Sequence, residues 1–303
     1  MVESNLPTAH RSTIRVGLPT VYTRRLNAGV PSSRSTTAQI TDGISLLEAH
    51  SFVDSKLLEI SGNPAEMRRQ EAVPFVEAMA QKQQYLAIYG DESSDETEYN
   101  GFSVRYDSST VGNEADNVLT AGGTGADQSS IWLIGWGLDK IFGVYPRGTV
   151  GGLRHKDLGE EMVQVDSTGS AALGLSSNQM LAHRDMWTWD CGLVVKDWRY
   201  AVRIANIEVS DANALTGTQT ITTYATYIQY LMADAMHRIP SLDACRPCFY
   251  MNRTMFSAFD RMLIAQSNSN IYRTQDANGN MVMTFRGIPI KKIDQLTYTE
   301  SAI

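Results

Sequence analysis

The sequence predicts an α+β fold, because helical and strand periodicities occupy separate parts of the chain. One long helical pattern covers residues 64–89, and alternating aromatic and apolar side chains over 184–207 predict two long strands. Helical patterns return over 224–238 and again after Asn252. With 303 residues, 43% of them hydrophobic, the chain is long enough to bury a sizeable core in one large domain or two smaller ones.

Residues 1–40 form a basic arm ahead of an acidic body. Residues 1–40 contain five arginines against the single acidic residue Glu3, a net charge of +4, whereas the whole chain carries -7. A strand-like stretch at 13–22 and turn-forming residues at 27–29 and 31–33 predict an extended hairpin. Because the segment has too few apolar residues for a core of its own, we expect it to lie on another surface, with a flexible tail as the alternative.

The longest predicted helix has clear signals at both ends. Asn63 supplies an N-cap, Pro64 suits the first helical position, and Gly90 follows the last helical residue. At ~1.5 Å per residue this helix is roughly 39 Å long, and Pro74 is the one expected kink. Its apolar residues interleave with charged and amide residues, which predicts a helix that buries one side; they are Ala72, Phe75, Met79 and Leu86.

A strongly acidic segment, DESSDETE, occupies residues 91–98 immediately after this helix. It holds five carboxylates in eight residues without a basic side chain. We interpret it as a solvated loop, because a calcium-binding loop needs a glycine at its sharp turn and a terminal bidentate glutamate at set spacing.

The middle of the chain is predicted to be β-rich. Short apolar runs at 131–137 and 140–145 are consistent with a hairpin. Trp187, Trp189 and Cys191 alternate along one predicted strand face. Such aromatic side chains can stack on single-stranded nucleic acid, but few basic residues accompany them, so core packing or a subunit contact is the favoured interpretation.

The last third mixes helices and strands. A helix over 224–238 ends before Pro240, a short buried strand covers 248–251, and a second helix follows Asn252. Residues 271–293 predict a hairpin that turns at 276–280 and continues as one strand over 281–290.

A search for catalytic chemistry finds only weak candidates. Cys245 and Cys248 have the CxxC spacing of redox and zinc sites. A tetrahedral zinc site needs two more ligands, and no cysteine or histidine lies at a recognisable motif distance from this pair. His155 and Glu160 lie in a charged segment that could supply an acid and a base. No nucleophile elbow or phosphate-binding loop occurs. We therefore assign no catalytic, cofactor-binding or metal-binding residues and predict that the protein is not an enzyme.

Three cysteines do not suggest a disulfide framework, and the apolar run at 131–138 is far too short to cross a membrane. The N-terminus lacks the hydrophobic core of a secretion signal, which favours synthesis inside the cell without export. The net charge of -7 also argues against a surface devoted to nucleic-acid binding, which would normally carry a basic stripe.

Five segments spread over most of the chain resemble the major capsid proteins of short-tailed bacteriophages. They are TIRVGLPTVYTRRLNAGVPSSRSTTAQITD, NPAEMRRQEAVPFVEAMAQKQQYLAIYGD, IWLIGWGLDKIFGVYPRGTVGGL, WTWDCGLVVKDWRYAVRIANI and FRGIPIKKIDQL. The resemblance implies the tailed-phage capsid fold: an extended loop, a long spine helix, a peripheral domain and an axial domain. It also implies self-assembly into hexamers and pentamers of an icosahedral shell around double-stranded DNA, located in the virion and assembled in the bacterial cytoplasm.

The resemblance divides the chain into four regions. An N-terminal arm and extended loop would occupy 1–60, the spine helix and the start of the peripheral domain 61–125, β-rich peripheral segments 126–210, and an axial-type α/β domain 211–303. Relatives usually carry more residues before this N-terminus, so we expect either a short arm or a truncated chain. The family also implies a portal protein, and the absence of a long charged helical leader suggests a separate scaffold protein.

Some related capsids link subunits through a lysine of the extended loop, but no lysine occurs here before Lys56. We therefore expect noncovalent intersubunit contacts, reinforced by a separate cement or decoration protein. The candidate contacts are basic residues of the arm and acidic residues of 91–98, namely Arg15, Arg24, Arg25, Arg34, Asp91, Glu92, Asp95 and Glu96. The alternative function is a soluble hydrolase, or a thiol or metal enzyme, using His155 and Glu160 or Cys245 and Cys248.

Overall fold

The structure is a computed structural model that describes residues 1–166, 178–216, 220–221, 223–264, 271–275, 279 and 281–303. Its helices are α1 Ser55–Ser61, α2 Pro64–Tyr89, α3 Phe102–Arg105, α4 Val209–Asn213, α5 Thr223–Arg238 and α6 Arg253–Ile264. Its strands are β1 Val2–Glu3, β2 Ala9–Gly17, β3 Thr36–Gly43, β4 Ser45–Asp54, β5 Val118–Thr120, β6 Gln128–Trp136, β7 Ile141–Tyr145, β8 Arg154–Asp166, β9 Asn178–Val195, β10 Ala201–Glu208, β11 Leu215–Thr216, β12 Thr220–Ile221, β13 Arg246–Met251, β14 Ile271–Gln275, β15 Met281–Phe285 and β16 Ile288–Lys292.

The long helix α2 has the predicted bounds, because both of its end signals are local. The Asn63 side chain accepts a hydrogen bond from the Glu66 backbone N–H, and Gly90 ends the helix with its N–H bonded to the Leu86 carbonyl. Met79 and Leu86 are buried as predicted. The second half of the helix is thereby fixed to the core.

The exposed surface of the first half of α2 is less polar than the sequence pattern suggests. Val73 and Val76 are exposed there. Nearby in the chain, α1 exposes Leu57 and Ile60, the latter with 74% of its surface accessible. The helix layer therefore presents apolar side chains outward as well as inward.

Twelve strands form the main sheet. Its centre is β6, which pairs antiparallel with β10 on one side and with β13 on the other. The β13 side continues through β16, β15 and β14, and the β10 side ends at β5. Eight of the nine residues of β6 are buried, because neighbouring elements cover both of its faces.

A second group of strands joins this sheet at one corner. The strand β9 pairs antiparallel with β7, β4 and β8. Arg68 of α2 donates to Asp157 of β8 at 2.8 Å and to Asp185 of β9 at 2.7 Å. These ion pairs connect the first half of the long helix to the strand layer.

The hydrophobic core lies around β6, β10 and β13 and includes apolar side chains of α5 and α6. Trp132 is fully buried and contacts the rings of Phe102 and Tyr106, with centroids 5.7 and 6.0 Å apart. The predicted helices over 224–238 and after Asn252 are confirmed as α5 and α6. The two long strands predicted over 184–207 are confirmed as parts of β9 and β10.

Two predictions about strand pairing were wrong. The runs at 131–137 and 140–145 do not form a hairpin: β6 and β7 are parallel and pair at Trp136 and Ile141, and each pairs more extensively with distant strands. The stretch 281–290 is two strands rather than one, because Arg286 and Gly287 adopt positive φ angles of 48° and 86° and turn the chain. Except for Gly279, the predicted turn at 276–280 lies outside the described residues.

None of the helices in the described ranges combines the length and apolar character needed to span a bilayer.

Candidate intersubunit surface

The N-terminal arm is an antiparallel hairpin of β2 and β3, as the sequence predicts, but its first strand covers Ala9–Gly17 rather than 13–22. Its base is fastened by the Asn5 side chain, which donates to the Arg11 carbonyl at 2.6 Å and accepts from the Arg11 N–H at 2.8 Å. Among the described residues the hairpin forms a two-stranded sheet of its own. Asp42 of β3 pairs with Arg105 at 2.7 Å and fixes the base of the arm to the body. Because two-stranded hairpins alone are marginally stable in water, a further contact would stabilise the exposed part of the arm.

The connection between β2 and β3, residues 18–35, has no regular secondary structure and is exposed throughout. It turns at Asn27, whose φ is 59°, and the Ser33 hydroxyl donates to the Thr20 carbonyl at 2.6 Å. Several large apolar side chains here face solvent; Leu26 and Val21 are 95% and 90% exposed. Sequence reasoning missed this apolar surface, because the residues are scattered among Pro, Ser and Arg without strand or helix periodicity.

Arg15, Arg24, Arg25 and Arg34 are all exposed on this arm. Within the described part of the chain, none of the four forms an ion pair. Arg15 lines a cleft of about 490 Å³ between the base of the arm and residues 196–199. Lys196 pairs with Asp139 and Arg199 with Asp197 in that cleft, so these two carboxylates are already paired without Arg15.

The acidic segment 91–98 folds as a compact exposed turn. The Asp91 carboxylate accepts from the hydroxyls of Ser93 and Ser94, both at 2.6 Å, and these bonds hold its pKa below the ordinary value. The backbone N–H and hydroxyl of Thr97 lower the pKa of Asp95 in the same way. The negative charge of this turn therefore persists at neutral pH.

The remaining carboxylates of the turn differ in their availability. Glu98 pairs with Lys82 of α2 at 2.7 Å, and Glu92 accepts from the Asn100 amide at 3.3 Å. Glu96 is exposed. In the described residues, the subunit forms no ion pair between this turn and the arm arginines.

The first pair of alternative catalytic residues is not brought together. His155 and Glu160 lie on β8, where they are opposite Trp187 and His183 of β9. These partners are four positions apart on β9, so roughly 13 Å of strand separates His155 from Glu160. His155 stacks on Trp187, with ring centroids 4.3 Å apart, and its Nε2 bonds Asp185 Oδ1 at 2.8 Å. His155 and Glu160 are therefore too far apart to act on one substrate as an acid and a base.

The second pair, Cys245 and Cys248, consists of free thiols at the start of β13. Burial raises the pKa of both thiols. Because a thiolate is the nucleophile and metal ligand, a raised pKa opposes redox or metal chemistry at this pair.

Comparison with solved structures finds a close relative in bacteriophage Epsilon15. That chain is 27% identical, the match covers 100% of this chain and 87% of that chain, and the TM-score is 0.71. The capsid of bacteriophage JBD30 matches at 13% identity and a TM-score of 0.45, covering 96% of this chain and 88% of that one. The capsid of an empty GTA particle matches at 12% identity and a TM-score of 0.42, covering 67% and 86%. No curated protein sequence gives a significant match.

The α+β fold and the exposed arm define the class of tailed-phage major capsid proteins, the structural subunits of the virion shell. A family model described as "Major capsid protein GP7" matches residues 1–303. The chain belongs to this major capsid protein family, and the resemblance predicted from its sequence segments is confirmed. The alternative enzyme function receives no support from the family or from either pair of candidate residues.

Proposed function

We propose that copies of this chain assemble into hexamers and pentamers of an icosahedral shell through noncovalent contacts made by the arm, and that the protein has no catalytic activity. The observation that carries this proposal is the arm's combination of exposed apolar side chains and unpaired arginines. A subunit that remained alone in solution would have no use for such a surface, since large exposed apolar patches mark interaction sites.

The apolar side chains of the arm supply most of the binding free energy in this proposal. Burying one large aliphatic side chain contributes about 1.5 to 3 kcal/mol. The exposed large apolar side chains of the arm are Val16 of β2 and five of the connection, Leu18, Val21, Tyr22, Leu26 and Val30. The same contact is repeated around closed rings of subunits, so many modest free-energy contributions add up to a stable shell.

The natural apolar partner of the arm is the outer side of α1 and α2 on a neighbouring subunit. Leu57, Ile60 and Val73 are exposed there. Glu71 and Glu77 of α2 are exposed on the same helix. The charge of these glutamates is complementary to that of Arg24 and Arg25, so we propose that the arm of one subunit lies over this helix layer of the next.

The 91–98 turn is the second proposed partner of the arm arginines, through Asp91, Glu92, Asp95 and Glu96. Exposed ion pairs contribute only about 0 to 1 kcal/mol each. In this proposal the charges therefore set the register between subunits, while apolar burial supplies the affinity. With no lysine before Lys56, the arm lacks the amine needed for a covalent isopeptide crosslink.

The wider setting follows from the family. We propose that the shell assembles in the bacterial cytoplasm on a separate scaffold protein. A portal protein completes the shell and a cement protein strengthens it. The shell encloses double-stranded DNA without recognising its sequence. We also propose a division into four regions. They are the arm and extended loop at 1–60, the spine helix and start of the peripheral domain at 61–125, β-rich peripheral segments at 126–210 and an axial-type α/β domain at 211–303.

Charge reversal on the arm tests the proposal. The double variant Arg24→Glu, Arg25→Glu should fold like the original chain but fail to form shells when the scaffold is supplied, as seen by electron microscopy and sedimentation. The matched control, Arg24→Lys with Arg25→Lys, keeps the charge and should assemble. Normal shells from the charge-reversed variant would refute the role of the arm.

A further inference from the structure

A cluster of histidines and aspartates lies between α2 and the strand layer, away from the arm. On β8 and β9, Asp157 is directly opposite Asp185, and a bulge at Gly159 shifts the register beyond this pair. The Gly159 N–H donates to Asp157 Oδ1 at 2.8 Å, which fixes the carboxylate at the bulge. The bulge places Asp157 beside His183 as well as opposite Asp185, so side chains far apart in the sequence converge.

The three side chains offer ligand atoms at metal-binding spacing. One atom from each of Asp157, His183 and Asp185 lies within 4.8 Å of the other two. His183 Nδ1 is 3.6 Å from Asp157 Oδ1. Two ligands on a tetrahedral ion with bonds of about 2.0 to 2.2 Å are roughly 3.3 to 3.6 Å apart. The pair therefore needs almost no movement to share one ion.

The imidazole of His183 is the second indication of a ligand. Its Nδ1 is buried and has no hydrogen-bond partner among the described residues, although it points toward the carboxylates. Leaving a buried polar atom unpaired is costly, and an ion at this position would satisfy it. The side chains of His183 and Asp185 are 18% and 8% exposed, whereas that of Asp157 is 48% exposed, so an ion could enter from the Asp157 side.

Arg68 currently supplies the positive charge of the cluster. It bonds Asp157 Oδ2 and Asp185 Oδ1, and His155 bonds Asp185 Oδ1 from the other side. Two carboxylates against one guanidinium leave the cluster negative when the imidazoles are neutral. A divalent ion would balance both carboxylates by itself, so it competes with Arg68 for the same oxygens.

We propose that Asp157, His183 and Asp185 bind a divalent transition-metal ion, and that Arg68 holds the two carboxylates when the ion is absent. Zinc is the ion class that fits, because a set of imidazole and carboxylate ligands suits it better than magnesium or calcium. His155 orients Asp185 from outside the ligand set. Metal binding would fasten β8 to β9 and release the first half of α2 from them.

Titration of the purified full chain with Co²⁺, followed by visible absorption and by displacement with Zn²⁺, tests the site. We expect one ion per chain. His183→Ala should weaken binding by more than about 100-fold, since even outer partners of a ligand contribute 10- to 100-fold. Asp157→Asn, at a half-exposed side chain, should weaken it without affecting folding. Arg68→Gln should tighten binding about tenfold, because the competing cation is removed.

His50→Ala is the matched control, since His50 is an exposed histidine that bonds Glu48 on β4 and should leave affinity unchanged. The site would be refuted if no stoichiometric binding occurred, or if His50→Ala weakened binding as much as His183→Ala. It would also be refuted if both His183→Ala and Asp157→Asn left the affinity unchanged while melting curves showed them folded. Weaker binding by Arg68→Gln would overturn the proposed competition.

Discussion

Arg203 and Glu300 form an ion pair of 2.9 Å in which only 4% and 5% of the two side-chain surfaces are exposed. Ninety-seven positions separate the partners, so the pair fastens the end of the chain to β10. Glu300 also accepts a hydrogen bond from Tyr89, the last residue of α2, at 2.5 Å. Arg203 donates further to the Tyr106 carbonyl at 2.8 Å. One carboxylate therefore joins the long helix, the central sheet and the C-terminal segment.

Replacing this carboxylate should destabilise the subunit. Glu300→Ala leaves the Arg203 charge buried without its counter-ion, and breaking a buried pair from one side costs about 3 to 5 kcal/mol. Urea denaturation of the unassembled chain measures the change in the free energy of unfolding. Glu96→Ala, at an exposed carboxylate, should change it by less than about 0.5 kcal/mol. Equal effects of the two variants would contradict the account of this ion pair.

The acidic turn should respond to pH in a defined direction. Hydrogen bonds from Ser93 and Ser94 lower the folded-state pKa of Asp91. A depressed pKa stabilises the fold above the unfolded value of about 3.9, and this contribution is lost as pH falls through the folded pKa. An NMR titration of Ser93→Ala should show the Asp91 pKa rising toward its ordinary value.

Thr97 provides the matched control for this titration. Its N–H and hydroxyl bond Asp95, not Asp91. Thr97→Ala should therefore raise the pKa of Asp95 and leave that of Asp91 unchanged. An Asp91 pKa that did not move in Ser93→Ala would show that these bonds do not hold the turn.

The buried thiols should be unreactive in the folded protein. Burial raises the pKa of Cys191 to about 11 and also raises that of Cys248. Because alkylation requires the thiolate, iodoacetamide at pH 7 should modify both residues slowly before unfolding and rapidly after it. Mass spectrometry of each cysteine measures the two rates. Fast modification of native Cys248 would instead indicate an activated thiol, as the alternative enzyme function requires.

Features with local signals could be predicted from the sequence. The bounds of α2 follow from Asn63, Pro64 and Gly90, which act within one helical turn of each end. The arm hairpin follows from turn residues between two polar strands, and its charge follows from composition. The capsid class required whole segments, because no single residue carries a chemical signature of assembly.

Features that depend on distant pairing could not be predicted. The run at 131–137 looks like half of a hairpin, yet β6 pairs with β10 and β13, strands that lie far along the chain. The ligand cluster has the same origin: Asp157 meets His183 and Asp185 only because a bulge in β8 sets the register with β9. The distances along the sequence from Asp157 to His183 and from Asp157 to Asp185 match no local metal-binding motif, so a motif search does not find the cluster.

A density map of the assembled particle, at a resolution that shows side chains, tests the central claim most directly. We predict that residues 18–35 of each subunit lie over α1 and α2 of a neighbour, with Leu26 buried and Arg24 or Arg25 within about 4 Å of a neighbour's carboxylate. Arms that fold back on their own subunit, or extend into solvent with Leu26 still exposed, would contradict this account of how the shell is held together.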